Sequence, residues 1–202
     1  MSRYTGPKNK KARRIGKDLE LTTSSQKLLR RLGIPPGQHG RRGRRRISDY
    51  GKQLLEKQRV KWTYGVQERQ FRRYFQNALK KKGQTGEELL RTLERRLDNV
   101  VYRLALTPTR SMARQLVNHG HVRVDGKKVS IPSYATKPGN VISLSDKALK
   151  IPQTEALAKE KKPDIPAWLS RKAAVGKIER LPVREDMDAD INEQYIVEVY
   201  SR

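Results

Sequence analysis

Apolar residues recur at helical spacing through the middle of the chain. Between Gln67 and Gly83 they fall at i, i+3, i+4, i+7 and i+8, which is the spacing of one buried helical stripe. The members of this stripe are Phe71, Tyr74, Phe75, Ala78 and Leu79. An earlier helix is predicted over about 51–62, with Asp49 as a candidate cap.

The helical period continues from Leu89 to Leu104, and this run fits either one helix or two helices with a kink. Pro108 interrupts the run. The period resumes near Thr109 and predicts a short helix before Gly120, a residue type common just after helix C-termini. We expect this helix to bury Met112, Ala113, Leu116 and Val117.

The pattern then changes to an alternation of apolar and polar residues, which is typical of β-strands. The segment Val122–Val124 alternates in this way, and Asp125-Gly126 after it is a strong signal for a type I′ hairpin turn. Further strands are predicted over Val141–Leu144 and, at the end of the chain, over Tyr195–Tyr200.

These elements predict an α+β protein in four parts. A basic N-terminal arm covers residues 1–46, and a helical domain covers 47–92. A small module of a helix pair and an antiparallel sheet covers 93–157. A C-terminal extension covers 158–202, and we expect its final strand to pack back on the module and join its sheet.

The charge of the chain points to a polyanionic partner. Its 202 residues include 46 Lys and Arg against 21 Asp and Glu, a formal net charge of +25. So basic a surface repels itself and favours binding to RNA, DNA or an anionic membrane. We expect no membrane partner, because no apolar run approaches the roughly 20 residues that span a bilayer and residues 1–17 lack the apolar stretch of a secretory signal.

The arm carries about half of this charge, because it has 15 Lys or Arg and two acids, Asp18 and Glu20. It is also rich in Gly and Pro and poor in large apolar residues. Such a segment cannot bury enough apolar surface to offset the entropy of ordering. We therefore expect a flexible arm that is ordered by RNA, with one short helical exception within residues 25–32.

Three groups of residues are candidate RNA ligands, most of them cations that can neutralise phosphates and release counterions. The arm contributes Arg3, Lys8, Lys10, Lys11, Arg13, Arg14, Arg41, Arg42, Arg44, Arg45 and Arg46. The helix after Gln67 contributes Arg69, Arg72 and Arg73. The helix and hairpin of the module contribute Arg110, Arg114, His119, Arg123, Lys127 and Lys128. Arg110 and Arg114 are one turn apart, on the face expected to lie opposite the apolar residues. For the arm clusters the alternative interpretation is a solvated charge run, and for the helix and hairpin of the module it is an ordinary polar exterior.

No constellation in the sequence indicates catalysis or a metal site. The chain has no Cys, and the spacing of His39, His119 and His121 does not suit a metal. The sequence has no phosphate-binding loop and no nucleophile elbow. Four acids near the C-terminus have no adjacent base and are interpreted as a solvated or partner-facing surface: Glu185, Asp186, Asp188 and Asp190. We expect no cofactor and no metal, and we take Glu185 and Asp186 as a candidate protein interface.

Seven segments of the chain are distinctive: Met1–Pro7, Pro35–Gly40, Ser48–Tyr50, Tyr64–Phe71, Arg96–Leu104, Ala113–His121 and Asn192–Arg202. They resemble the bacterial-type family of small-subunit ribosomal protein S4, over nearly the full length of the chain. The arm departs from some members, which carry a zinc-binding cysteine cluster. Asn9 and Ala12 stand where that cluster begins, so the resemblance is to a zinc-free version.

The resemblance implies a non-enzymatic, structural constituent of the small ribosomal subunit in the cytoplasm. Members bind the five-prime domain of small-subunit rRNA early in assembly and lie near the path by which messenger RNA enters. They contact ribosomal protein S5 and other small-subunit proteins, and the S5 interface is linked to decoding accuracy. The resemblance also identifies 93–157 as the RNA-binding module of the family, and it implies no homo-oligomer.

Two other classes of protein remain as alternatives. An RNA-modifying enzyme could use the module to deliver its substrate, since the module recurs in pseudouridine synthases and tyrosyl-tRNA synthetases, but it would need a catalytic Asp or Cys in a pocket-forming domain. A general nucleic-acid compactor would bind DNA and RNA alike. A ribosomal protein should instead prefer its folded rRNA site.

Overall fold

The computed structural model describes residues 4–23, 26–42, 46–81, 83–160, 164–188 and 190–201. Four of the predicted RNA-binding side chains lie outside this description: Arg3, Arg41, Arg44 and Arg45. The chain divides into two compact units. Unit 1 lies within Met1–Gly86 and Asp190–Arg202, and unit 2 lies within Glu87–Ala189.

Within the described ranges the chain forms ten helices and five strands, so the α+β prediction is confirmed. The helices are α1 (Lys8–Ile15), α2 (Gln26–Leu29), α3 (Asp49–Thr63), α4 (Glu68–Leu79), α5 (Thr85–Glu94), α6 (Leu97–Arg103), α7 (Arg110–Asn118), α8 (Asp146–Leu149), α9 (Pro152–Ala158) and α10 (Glu193–Ser201). The strands are β1 (Val122–Val124), β2 (Lys127–Lys128), β3 (Val141–Leu144), β4 (Leu169–Lys172) and β5 (Val175–Ile178).

Unit 2 is built on an antiparallel sheet whose strands lie in the order β2-β1-β3-β5-β4. One face of the sheet packs on α6 and α7 and forms a continuous apolar core. Trp168 and Leu169 are both buried in this core. Gly176 faces Leu104 so closely that a Cβ would collide with the leucine side chain, which shows how near α6 lies to the sheet.

The β1–β2 hairpin has the turn that its sequence predicts. Asp125 and Gly126 both have positive φ angles, 50° and 78°, as a type I′ turn requires. The β4–β5 hairpin was not predicted, because its turn at Ala173-Ala174 contains neither Gly nor Asn. Ala173 has a φ of 52°, a conformation for which an alanine gives no sequence signal.

The periodic run after α5 is two helices rather than one. Arg96 leaves the helical path, and α6 begins at Leu97. The first backbone N–H groups of α6 are satisfied by a neighbouring loop, since Leu97 N–H donates to the Tyr134 carbonyl at 3.0 Å and Asp98 N–H to the Pro132 carbonyl at 3.2 Å. The break therefore leaves no cost of unpaired donors at this helix start.

Unit 1 contains the two central helices that the sequence predicts, with small corrections. Ser48, not Asp49, caps α3 and accepts a hydrogen bond from the Gly51 N–H. On α4, Phe71 and Phe75 are buried as expected. The expected burial of Leu79 is wrong, because it lies in the last turn and is 54% exposed.

The last segment of the chain is a helix, so the prediction of a final strand joining the sheet is wrong. Ile196 and Tyr200 are four residues apart, and α10 turns both toward α3 and α4. Ile196 is buried, and the Tyr200 ring stacks on Phe75 with 4.7 Å between the ring centroids. The β-favouring residues of α10 form a helix because packing on α3 and α4 overrides their local propensity.

The arm has a small core of its own, and the short helix α2 lies within the helical exception expected over residues 25–32. Ala12 of α1, Leu19 and Leu28 of α2 are buried together, with Trp62 of α3 packed against them. Gly16 ends α1 with a φ of 86°. The flexibility of the arm in the absence of RNA stays a prediction.

Candidate RNA-binding surface

The hairpin of unit 2 holds its predicted cations outward. Val122 and Val124 are buried, while Arg123 between them is exposed, and Lys127 and Lys128 of β2 are exposed as well. Alternation along β1 turns Arg123 away from the face of Val122 and Val124, because successive side chains point to opposite faces. Lys128 pairs with Arg123 and lies on the same face. Three cations thus lie on one short, regular hairpin.

The hairpin is also held rigidly against the next strand. The Asp125 carboxylate accepts hydrogen bonds from the Val141 N–H at 2.7 Å and from Asn140 Nδ2 at 2.6 Å. Register fixes Arg123 opposite Lys128 on one side and Ser143 on the other. A rigid base of this kind lets the cations meet a folded partner with little ordering cost.

The end of α7 positions His119 and the start of the hairpin. The Gly120 N–H donates to Val117 and the His121 N–H to Leu116, both at 2.9 Å, which is a Schellman motif. Gly120 has a φ of 71°, as that motif requires. His119 is exposed at the tip of the helix, so the predicted C-terminal glycine is confirmed and the histidine is accessible.

Arg110 does not lie on an exposed face, and that expectation is wrong. It is 9% exposed, and its Nε donates to Asn99 Oδ1 at 2.9 Å. Its guanidinium carbon lies 4.3 Å from the centroid of the Tyr102 ring. The helical period placed it opposite Leu116, but α6 packs beside α7 on that side and buries the guanidinium among polar groups.

Arg114 is also engaged by α6, through Asp98. Its Nε and Nη2 donate to Asp98 Oδ2 at 2.8 and 2.6 Å. The same carboxylate accepts two hydrogen bonds from Arg96, whose Nη2 lies 2.9 Å from Oδ2. The Asp98 side chain is 4% exposed and the Arg114 side chain 22%, so Arg114 combines an anchor in the interior with an edge at the surface.

A second buried carboxylate, Glu94, completes this network. It is paired with Arg103 at 2.8 Å, and it accepts from Asn99 Nδ2 at 2.7 Å. Burial of a carboxylate is tolerated only with such charge-assisted pairing. Three guanidinium groups, those of Arg96, Arg103 and Arg114, pair with the two carboxylates. Arg110 and Arg114 of α7 hold α6 through Asn99 and Asp98, so the network fixes α6 to α7.

The predicted basic face of α4 is exposed. Arg69, Arg72 and Arg73 all face outward, on the side away from Phe71 and Phe75. Their spacing of three and four residues places them on one face of the helix. They form a regular basic surface on one helix of unit 1.

The described cations of the arm fall into two kinds. Lys10, Arg14, Arg42 and Arg46 are exposed, and Lys8 is half-buried. Arg13 instead donates to the Ile34 and Pro35 carbonyls at 3.0 and 3.1 Å.

Lys11 is also held within the arm. It lies over the Tyr4 ring, 3.4 Å from its centroid, and 5.5 Å from a Trp62 ring centroid. Burial, and then the neighbouring charges of Lys61 and Lys8, lower the pKa of Lys11 to about 8. Lys11 is thus a partly desolvated cation that packs on aromatic rings.

Two of the four C-terminal acids, Asp186 and Asp190, are paired with a basic residue, contrary to the expectation that they lack a neighbouring base. Asp186 accepts two hydrogen bonds from Arg180, at 2.6 and 2.8 Å, and its side chain is 6% exposed. Asp190 accepts from Lys17 at 2.7 Å. Glu185 is exposed, so of the two candidate interface residues it is the one turned to solvent.

Sequence reasoning missed polar residues on α7 and a structural arginine. Ser111, Gln115 and Asn118 are exposed beside the partly exposed Arg114, and only the helical period could have indicated them. Arg171 donates to the Leu104 and Ala105 carbonyls, each at 2.9 Å, at the end of α6. A cation at a helix C-terminus is favourable, and no local pattern in the sequence marks it.

The described residues contain no group of three or more His, Asp or Glu placed to hold a metal ion. None of the helices in the described part of the chain is long and apolar enough to cross a bilayer.

Comparison with known proteins covers the whole chain. Residues 3–94 match the ribosomal protein S4/S9 N-terminal domain, and residues 95–142 match the S4 domain. The small ribosomal subunit protein uS4 of Brevibacillus brevis is 50% identical over 204 residues, and that of Dictyoglomus turgidum is 52% identical over 208. Both alignments cover 100% of each chain. The chain therefore belongs to the uS4 family of small-subunit ribosomal proteins.

Proposed function

We propose that this chain binds the five-prime domain of small-subunit rRNA as a primary binder and nucleates assembly of the body of the subunit. Membership of the family makes it a structural, non-enzymatic constituent of the cytoplasmic small ribosomal subunit. The finer assignment, to one rRNA domain and to an early step of assembly, is what the family resemblance implies, and the exposed basic surfaces support binding to a folded RNA.

The exposed hairpin is the observation that carries the proposal. It holds Arg123, Lys127 and Lys128 on a rigid antiparallel support with the α7 tip beside it. Such a surface suits the phosphates of a folded RNA better than separated bases. The chain has 6% aromatic residues, and both Phe lie in the core of unit 1, which leaves few rings for stacking on a single strand.

Other cations would extend the contact. The exposed α4 face, with Arg69, Arg72 and Arg73, and the exposed cations of the arm add phosphate ligands. Arg114 would present one edge to RNA while Asp98 holds the other. Arg110 would act through the stability of this helix pair, because its guanidinium is buried.

The chain would also contact ribosomal protein S5 and influence decoding accuracy, near the path by which messenger RNA enters. The support for a protein-facing surface is local charge. Glu185 is an exposed acid in a strongly basic chain, and it would be repelled by phosphate. Asp186 would contribute by holding this segment on Arg180 rather than by direct contact. Reversal of Glu185 to Lys should alter misreading in cells and leave isolated rRNA affinity unchanged or slightly raised.

The rRNA assignment is tested by paired lysine variants. Lys127→Gln with Lys128→Gln removes two hairpin charges, and Lys147→Gln with Lys150→Gln removes two exposed charges, one in α8 and one directly after it. Affinity for a transcript of the five-prime domain is measured against salt concentration. The hairpin variant should lose about 1 to 2 units of the salt-dependence slope, because each neutralised phosphate contributes roughly 0.9. The α8 variant should keep the slope of the unmodified protein.

Competition with DNA separates this proposal from a general nucleic-acid compactor. A DNA duplex of equal length should compete poorly for the unmodified protein, because specific sites exceed non-specific ones by about 10³ or more. Equal competition by DNA, or equal slopes for the two lysine variants, would contradict the proposal.

A further inference from the structure

The face of the sheet that turns away from α6 and α7 is open. Its first row crosses all five strands, because register places Lys128 opposite Arg123, Arg123 opposite Ser143, Ser143 opposite Val175, and Val175 opposite Lys172. Directly opposed residues of an antiparallel sheet point to the same side. Arg123 is exposed, whereas its neighbours Val122 and Val124 are buried, so this row lies on the outer face.

A second row follows on the same face. Val141 pairs with Lys177, and Lys177 pairs with Ser170. Lys177 is exposed and Val141 is 37% exposed. The part of the sheet formed by β4 and β5 lies beyond residues 95–142, the stretch that matches the S4 domain.

Charge is distributed across this face in a definite order. Arg123 and Lys128 lie at one side, and Lys172 and Lys177 lie at the other. The strip between them is uncharged and consists of short side chains: Val141 and Ser143 of β3 and Val175 of β5. Three strand spacings separate Arg123 from Lys172, which is about 14 Å at roughly 4.8 Å for each strand.

Two carboxylates border the face, and both are engaged. Glu179 accepts from Ser170 Oγ at 2.7 Å and lies 3.2 Å from Lys177 Nζ. Asp125 is held by Val141 and Asn140 at the edge of the hairpin. The four cations of the face therefore exceed the two acids, and positive charge remains on both sides of the strip.

We propose that the RNA-binding surface of the hairpin continues across this open sheet face to β5 and β4, and that the whole face docks in the shallow minor groove of a double-stranded rRNA segment. The inference rests on the proposed function, and it assigns a new surface and a kind of RNA to it. The minor groove of A-form RNA is wide and shallow, with 2′-hydroxyls between two phosphate backbones. The two cationic sides match the backbones, and the Ser143 hydroxyl lies where a 2′-hydroxyl could meet it.

The same features argue against other occupants of the face. Val141 and Val175 are its exposed apolar residues, 37% and 43% exposed, and they lie between serines and lysines rather than in a continuous apolar patch. No aromatic side chain lies in either row, so unpaired bases would find no ring to stack on. Charge complementarity thus favours a duplex backbone.

The first test compares matched pairs of lysines in the full chain. Lys172→Gln with Lys177→Gln removes the charges on the β4–β5 side, and Lys147→Gln with Lys150→Gln is again the control. The probe is a transcript of the five-prime domain of small-subunit rRNA, and thermal melting checks the fold. The sheet variant should lose about 1 to 2 units of salt-dependence slope at unchanged melting temperature. An unchanged slope would overturn the inference.

The second test uses the absence of cysteine from the sequence. A single cysteine at Val175, with an iron–EDTA group attached, should cleave both strands of one rRNA helix across its minor groove. A cysteine at the exposed His119 serves as the control on the other predicted RNA surface. Cleavage of a single strand alone from position 175, or cleavage from 119 without cleavage from 175, would overturn the sheet inference and leave the proposed function standing. No cleavage from either position, with no rRNA binding by the unmodified chain, would overturn both.

Discussion

Two neighbouring parts of unit 2 carry similar basic residues and use them differently. On α7, Arg110 and Arg114 donate to Asn99 and Asp98 and hold two helices together. On the hairpin that follows, Arg123 is exposed. The difference lies in what faces each cation. Buried polar acceptors of α6 face the arginines of α7, whereas Arg123 lies between Lys128 and Ser143 on the outer face of the sheet.

This contrast shows that a basic residue near an RNA surface need not be an RNA ligand. A guanidinium beside a buried carboxylate stabilises the fold first, because an unpaired buried charge is costly. An exposed guanidinium has no such role and can neutralise a phosphate. The two kinds of residue should therefore respond to substitution in opposite ways.

The largest expected effect is the loss of a network carboxylate. Asp98→Ala leaves the guanidinium groups of Arg96 and Arg114 without their shared acceptor. The guanidinium group of Arg96 is buried. Unfolding free energy should fall by about 3–5 kcal/mol, the usual result of removing one partner of a buried ion pair. Asp164→Ala, at an exposed carboxylate of the same unit, is the control for chemical denaturation. Equal stability of the two variants would mean that the network does not hold α6 to α7.

A smaller effect is expected at Arg110. Arg110→Ala removes the donor to Asn99 and the contact with the Tyr102 ring. The unfolding free energy should fall by about 1–3 kcal/mol, because a buried acceptor loses its partner. Arg123→Ala on the hairpin should change it by roughly 0.5 kcal/mol or less. If Arg110→Ala were as stable as Arg123→Ala, Arg110 would not stabilise the fold more than an exposed hairpin cation does.

The smallest effect extends the comparison to unit 1, where Glu68 holds cations near the surface. Burial acts to raise the pKa of Glu68, but hydrogen bonds from Lys57, Lys61 and Tyr200 outweigh it and lower the pKa to about 2. A carboxyl with a lowered pKa contributes stability above its unfolded pKa, near 4.3, and loses it as the pH falls through the folded value.

The melting temperature of the unmodified protein should therefore fall between about pH 4.3 and pH 2, as the stabilisation contributed by Glu68 is lost. Glu68→Gln should lack this stabilisation and should melt lower than the unmodified protein at neutral pH. Melting curves over this range provide the measurement. Parallel pH profiles for the two proteins would show that these contacts contribute nothing to stability.

Much of the fold could be predicted where local chemistry decides it. The Asp125-Gly126 turn, the end of α7 at Gly120 and the buried face of α4 each follow from residues close together in sequence. The C-terminal helix could not be predicted, because its Ile and Val residues favour a strand until packing on α3 decides otherwise. The β4–β5 hairpin was missed because Ala173 gives no turn signal at its positive φ.

The candidate site was harder to predict than the fold. Residue type and spacing identified the exposed cations of the hairpin and of α4. The same criteria included Arg110, because helical period says which residues share a face but not what another helix brings to that face. The partners Asn99 and Asp98 lie 11 and 16 positions earlier in the sequence than the arginines they hold.

The central claim is that the hairpin cations serve RNA binding alone, whereas the α7 cations serve the fold first. The direct test measures rRNA affinity against salt, together with thermal melting, for Arg123→Ala with Lys128→Ala and for Arg110→Ala with Arg114→Ala. The hairpin variant should lose about 1 to 2 units of salt-dependence slope and keep its melting temperature. The α7 variant should melt at clearly lower temperature. The account would be contradicted by an α7 variant that melts normally and loses slope, beside a hairpin variant that binds rRNA as the unmodified protein does.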